Sequence, residues 1–182
     1  MFGKKKNTAK QMDEAFEKLK AVYGSVERVD DVPVKEYMVK WLSAFAPDMP
    51  VYDAKSFCLP KNRYKNYLWH AFSFQKTDSL FDVDAIEEFV SGFEGECFVL
   101  LNEENLLCTV PDGRVFDPEN VKDFNNVIIF TKDFTETYVY TGKEGFGPYY
   151  KSKAMTETDD SEPIEDFEEP LCEESAEEAD EE

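Results

Sequence analysis

The chain has 182 residues and a formal charge of −20; 42% of its residues are hydrophobic and 15% aromatic. That length suits one domain, and the acidity repels nucleic acid and anionic membrane over most of the surface, so direct nucleic-acid binding is not expected. No stretch approaches the ~20 apolar residues of a membrane span.

The N-terminus has Lys4-Lys5-Lys6 but then only polar residues from Asn7 to Lys10, so it lacks the apolar region of a secretory signal. Met1-Phe2 does not fit myristoylation, which needs glycine next to the initiator. A cytoplasmic location is expected. Residues 1–7 read as a flexible basic start, too small a basic patch for nucleic acid or lipid.

A single domain is expected over residues 8–153. Thr8 and Gln11 form a T-x-x-Q capping box, and Met12, Phe16, Leu19 and Val22-Tyr23 follow at helical spacing up to Gly24. A second helix has Asp31 as cap, Pro33 in the first turn, and a stripe of Val34, Tyr37, Met38, Trp41, Leu42 and Phe45. Trp41 belongs to the core on this pattern.

Tyr67 to Phe74 is aromatic-rich and alternates, which reads as a strand with Leu68, His70, Phe72 and Phe74 on one face. A third helix spans about 83–93, capped by Asp82 or Asp84, with Ile86, Phe89, Val90 and Phe93 on one face. Asp82, Asp84, Glu87 and Glu88 crowd its start. Carboxylates favour helix N-termini without any metal, and the spacing is not that of a calcium loop.

From Cys97 the pattern becomes a meander. Apolar runs at 97–101 and 106–110 flank a polar turn, Pro111-Asp112-Gly113 is a turn signal, and strands follow at 127–130 and 137–141. Gly145, Gly147 and Pro148 interrupt before Tyr149-Tyr150. Helices followed by antiparallel strands define an α+β fold: N-terminal helices packed on a mainly antiparallel sheet.

Residues 154–182 read as a disordered acidic tail, since Glu, Asp, Ser and Ala bury too little apolar surface to offset ordering entropy. Residues 151–182 hold 15 acids against Lys151 and Lys153, leaving −7 for residues 1–150. Phe167 and Leu171, set among these acids, have the makings of a short docking motif.

No catalytic signature stands out. Cys58, Cys97, Cys108 and Cys172 lack C-x2-C spacing, and His70 is the sole imidazole. Cys97 and Cys108 sit in apolar runs and read as structural thiols, which would come close if those runs pair. Gly145-x-Gly147 lacks the lysine of a phosphate loop. No cofactor or metal is expected.

Leu68-Trp69-His70-Ala71-Phe72-Ser73, with Thr137-Tyr138-Val139-Tyr140-Thr141 and Gly147-Pro148-Tyr149-Tyr150, resembles a family of small uncharacterised bacterial proteins. The resemblance covers about residues 64–150. It departs at Glu136, where the family has Trp, and at Gly142-Lys143, where it has His-Glu. It implies a compact bacterial or phage domain and brings no activity with it.

The expected function is a non-catalytic protein-interaction module, in the general manner of immunity proteins and phage-encoded inhibitors, whose partner is a protein with a basic surface. Candidate binding residues are Trp69, His70, Tyr138, Tyr149, Tyr150, Phe167 and Leu171. Two alternatives stand beside it: a small enzyme using His70 with a carboxylate or tyrosine, and an acidic mimic of nucleic acid.

Overall fold

Three strands that the sequence shows as unbroken apolar runs are apolar because both of their faces are covered. A computed structural model describes residues 3–49, 67–73 and 77–156. Its helices are α1 (Gly3–Tyr23), α2 (Val34–Phe45), α3 (Val83–Gly92) and the short α4 (Pro118–Val121). Its strands are β1 (Glu27–Arg28), β2 (Leu80–Phe81), β3 (Cys97–Leu101), β4 (Leu106–Val110), β5 (Val127–Thr131), β6 (Glu136–Tyr140) and β7 (Tyr149–Ser152). They form a single sheet in the order β1-β4-β3-β5-β6-β7-β2, with every neighbouring pair antiparallel. The α+β reading and the antiparallel pairing are as expected, but the strands from Cys97 onward do not run as a simple meander: β5 pairs with β3 and not with β4, whose outer edge β1 takes.

Side chains alternate across this sheet, so each strand feeds two cores. Cys97, Val99, Cys108, Val110, Ile129, Tyr138 and Tyr150 pack under Leu19 and Tyr23 of α1 and Ala85 and Phe89 of α3. Phe98, Leu100, Leu107, Ile128, Phe130, Val139 and Tyr149 pack against Met38, Trp41, Leu42 and Phe45 of α2. Trp41 is fully buried, as its stripe predicts.

A polar group sealed in such a layer needs a partner. The indole Nε1 of Trp41 donates to Thr137 Oγ1 at 2.9 Å, and that hydroxyl donates in turn to the carbonyl of Ile129 at 2.9 Å. One hydroxyl therefore ties α2 to β6 and β5.

Several local expectations change. Of the strand expected from Tyr67 to Phe74, the described residues 67–73 are not a strand. Residues Leu68–Ala71 form a 3₁₀ turn that buries Leu68, Trp69 and Ala71; Phe74 lies outside the described residues. The alternation was misleading because tertiary packing, rather than a ladder, takes up the apolar side chains. Helix α1 starts at Gly3, so Thr8 lies within it and not at its cap. Pro33 occupies the N-cap of α2 in place of Asp31. Asp82 precedes α3 without a side-chain capping bond. Val90 does not join the buried face of α3 but is 66% exposed, while Phe89 and Phe93 are buried.

Thr137→Val keeps the shape of the side chain and removes the hydroxyl. Leaving the buried indole N–H unpaired costs about 1–3 kcal/mol, which chemical denaturation reads as a lower midpoint at unchanged slope. A Trp41→Phe partner in a double-mutant cycle gives a coupling of the same sign.

Candidate functional site

The sequence-predicted residues fall in different places. Tyr138 and Tyr150 are in the core beneath α1 and α3, and Tyr149 in the core beneath α2. Tyr138 stacks on Phe89 with ring centroids 3.9 Å apart. The Tyr150 hydroxyl donates to Glu136 Oε1 at 2.9 Å, and burial raises its pKa. Trp69 is 2% exposed. His70 is half-buried, its ring 3.8 Å from that of Trp69 and its Nδ1 3.3 Å from Ser73 Oγ. Phe167 and Leu171 lie outside the described residues.

Trp69 is the hub of a polar network at one end of the sheet. Its Nε1 donates to Asn126 Oδ1 at 2.9 Å, and Asn126 Nδ2 donates to Glu103 Oε1 at 3.0 Å. The Tyr67 hydroxyl donates to the same carboxylate oxygen at 2.5 Å; burial first, and Glu103 second, push the Tyr67 pKa up. Asn126 has φ 53, a left-handed conformation that asparagine tolerates well. Lys143 places its ammonium 5.2 Å from the centroid of the Trp69 ring and 5.4 Å from that of Tyr67, within cation–π range. These contacts fix the loop 141–148 over the 3₁₀ turn.

The same loop lines an open groove of about 400 Å³. It is lined by Phe81, Asp82, Tyr140, Thr141, Gly142, Lys143, Glu144, Gly145 and Gly147. The Thr141 hydroxyl donates to the Phe146 carbonyl and accepts from the Lys143 N–H, pinning the loop from within. Gly142 has φ +68, a left-handed conformation that favours glycine, and a Cβ there would displace the exposed side chain of Asn125. Asp82 has φ 56 and ψ −120, an uncommon conformation for a residue with a side chain. It is secured by its N–H donating to the Pro148 carbonyl at 3.0 Å and by its own carbonyl accepting from Ile86 N–H at 3.1 Å.

Next to the groove, β2 and α3 present apolar side chains to solvent: Phe81 is 46%, Val83 58% and Val90 66% exposed. Val83 and Val90 are seven residues apart and share a helix face with Ile86. Around them, residues 77–96 carry Asp78, Asp82, Asp84, Glu87, Glu88, Glu94 and Glu96, all exposed, with no lysine, arginine or histidine. Sequence reading treated Val90 as core and passed over Phe81 and Val83. The available signal was the seven-residue spacing within an acid-only stretch.

The two cysteines among the described residues are structural in position. Cys97 and Cys108 are free and buried on one face of the β3–β4 pair, where Val99 opposes Cys108 and Cys97 opposes Val110. Burial pushes each thiol up to about 12. Among the described residues no group of three or more His, Cys, Asp or Glu could hold a metal, and no helix is long and apolar enough to cross a membrane.

The chain is thus an α+β domain with one sheet between two helical layers, bearing an acidic, partly apolar edge beside a loop-walled groove. Residues 13–150 match the family model of a domain of unknown function (DUF4275), and the chain belongs to that family. No curated protein and no solved structure matches it.

Raising a thiol from the ordinary 9.0 to about 12 lowers its thiolate fraction near pH 8 about a thousandfold. In a Cys58→Ser/Cys172→Ser variant, maleimide labelling of the native protein is therefore expected to be negligible at that pH. Two thiols should react promptly once denaturant is added, and mass spectrometry counts both states.

Proposed function

We propose that this domain is a non-catalytic protein-interaction module that docks a protein with a basic surface through its β2–α3 edge. The observation that carries this reading is the exposure of Val83 and Val90 on one face of α3, inside a stretch bearing seven exposed acids and no base. Isolated exposed apolar residues need no explanation, but a patch rimmed by charge marks an interaction surface. Its apolar centre would contribute affinity, while the rim would steer a basic partner and set the register.

The tyrosines picked out from sequence are packed into cores, and both described thiols are held protonated. An acidic binding domain of bacterial or phage origin, working in the cytoplasm as an immunity or anti-defence protein does, is consistent with this chemistry. The acidic residues beyond 156 would extend the same electrostatic steering.

The test is quantitative capture of a partner from the native host by full-length wild type and by a Val83→Asp/Val90→Asp variant. Both positions are exposed, so unfolding stability should stay within about 0.5 kcal/mol of wild type. Partner affinity is expected to fall by about 2 kcal/mol or more, as for central residues of an interface. A partner held equally by both proteins would place the interface elsewhere.

A further inference from the structure

The first turns of α1 stand clear of the domain. Successive residues of an α-helix point about 100° apart, and Ala9, Lys10 and Gln11 are all exposed, so at that level no side of the helix is packed. Packing starts at Met12, which with Ala15 and Phe16 lies half-buried against the core. The helix nevertheless runs back to Gly3 through Lys4, Lys5 and Lys6. Residues 1–12 hold four lysines and no acid. Lys6 and Lys10 are four apart, a spacing at which like charges weaken a helix, and short unpacked helices are marginal in water. Lys10 pairs with Glu14 on the same exposed helix, and an exposed pair of that kind contributes little. The arm calls for an acidic cover.

We propose that this arm is covered by the chain's own acidic residues 157–182, laid along Lys4 to Lys10 of the same molecule. Charge is one argument, since these 26 residues carry 15 acids and no base. Position is another. After β7 the 3₁₀ turn Lys153–Thr156 packs Met155 against the core beneath α1 and α3, so residues 157–182 set out from the sheet face that α1 covers. A random chain of this length has an r.m.s. span of roughly 25–30 Å, which self-repulsion lengthens, and a full extension of about 90 Å. The five strand spacings from β7 to β1, where α1 lies, come to about 24 Å. A tether of that reach holds the segment at an effective concentration on the order of mM. Fifteen acids outnumber four lysines, so charge remains for steering a basic partner.

Other occupants fit less well. The acid-only α3 packs on β7 and β2, at the opposite end of the sheet from β1, where Asp13 and Phe16 hold the base of the arm. Since α1 is continuous, the arm does not reach α3 within one molecule. The α3 of a second copy would compete, untethered, against a segment with about twice its acids. Nucleic acid and anionic lipid are repelled by the net charge of −20. Lys61, Arg63 and Lys65 make up the rival basic segment for residues 157–182, with three cations against four, and lie outside the described residues.

The test attaches a nitroxide to Cys172, inside the acidic segment, in full-length Cys58→Ser protein; Cys97 and Cys108 are buried and stay unlabelled. At low salt, paramagnetic broadening of the amides of residues 3–11 is expected, with α2 unaffected. It should fade as the screening length falls from about 10 Å at 0.1 M salt to about 3 Å at 1 M. With Lys4→Gln/Lys5→Gln/Lys6→Gln/Lys10→Gln added, the broadening should drop several-fold, and an unchanged spectrum beyond residue 12 checks the fold. Isotope-labelled protein without nitroxide, mixed with spin-labelled protein, should show none. Broadening in that mixture would overturn the proposal in favour of a second copy, and broadening centred on residues 61–65 in favour of that segment. Its absence at residues 3–11, or its survival in the lysine variant, would overturn the proposal outright.

Discussion

Covering a single antiparallel sheet on both faces is the constraint from which the rest of this domain follows. Every residue of β3 and β5 is buried, so side chains pointing either way must be apolar or must bring their own partners. Thr137 meets that requirement by accepting from Trp41 and donating to Ile129. Lys151 lies in the cross-strand position opposite Thr137 and is only 5% exposed. Burial lowers its pKa, opposed by the charges of Asp78 and Asp48. A lysine whose folded pKa is depressed makes the unfolded chain the better proton binder, so this group's penalty is present in full below its folded pKa and fades as pH rises through that value toward 10.5.

The same constraint determines where recognition is possible. With both sheet faces closed, the aromatic surplus goes into stacking inside the cores, and surface chemistry is left to the two edges and the loops. Both edge strands have only two residues, a length that limits adventitious strand pairing. They are finished differently. At β1, Arg28 pairs with Asp13 and lies over Phe16, so α1 covers and neutralises that edge. At β2, Phe81 and the outer face of α3 remain open and acidic. This asymmetry is the reason for placing docking at β2.

Much of the fold was legible because period reports burial. The stripe from Val34 to Phe45 showed α2, and runs such as Val127 to Phe130 showed strands. The failures have physical causes. Leu68, Trp69 and Ala71 carry a strand-like aromatic density, yet they fill space under a 3₁₀ turn, and packing of that kind leaves no period. Strands of two residues, β1 and β2, are too short to show a period of their own. The candidate site was less legible than the fold. Aromatic residues suggested binding at Trp69, Tyr138, Tyr149 and Tyr150, but all four are needed to fill the two cores. Only the acid-only stretch around Val83 and Val90 marked the open edge, and its meaning depends on knowing which helix face the sheet leaves uncovered.

The central claim is that recognition occurs at the β2–α3 edge and the loop beside it. Hydrogen–deuterium exchange of the full-length protein, alone and with its captured partner, tests it most directly. The account predicts slowed exchange confined to residues 77–96 and 140–147. Protection centred instead on α1 and β1, or on residues 157–182 with none at 77–96, would contradict it.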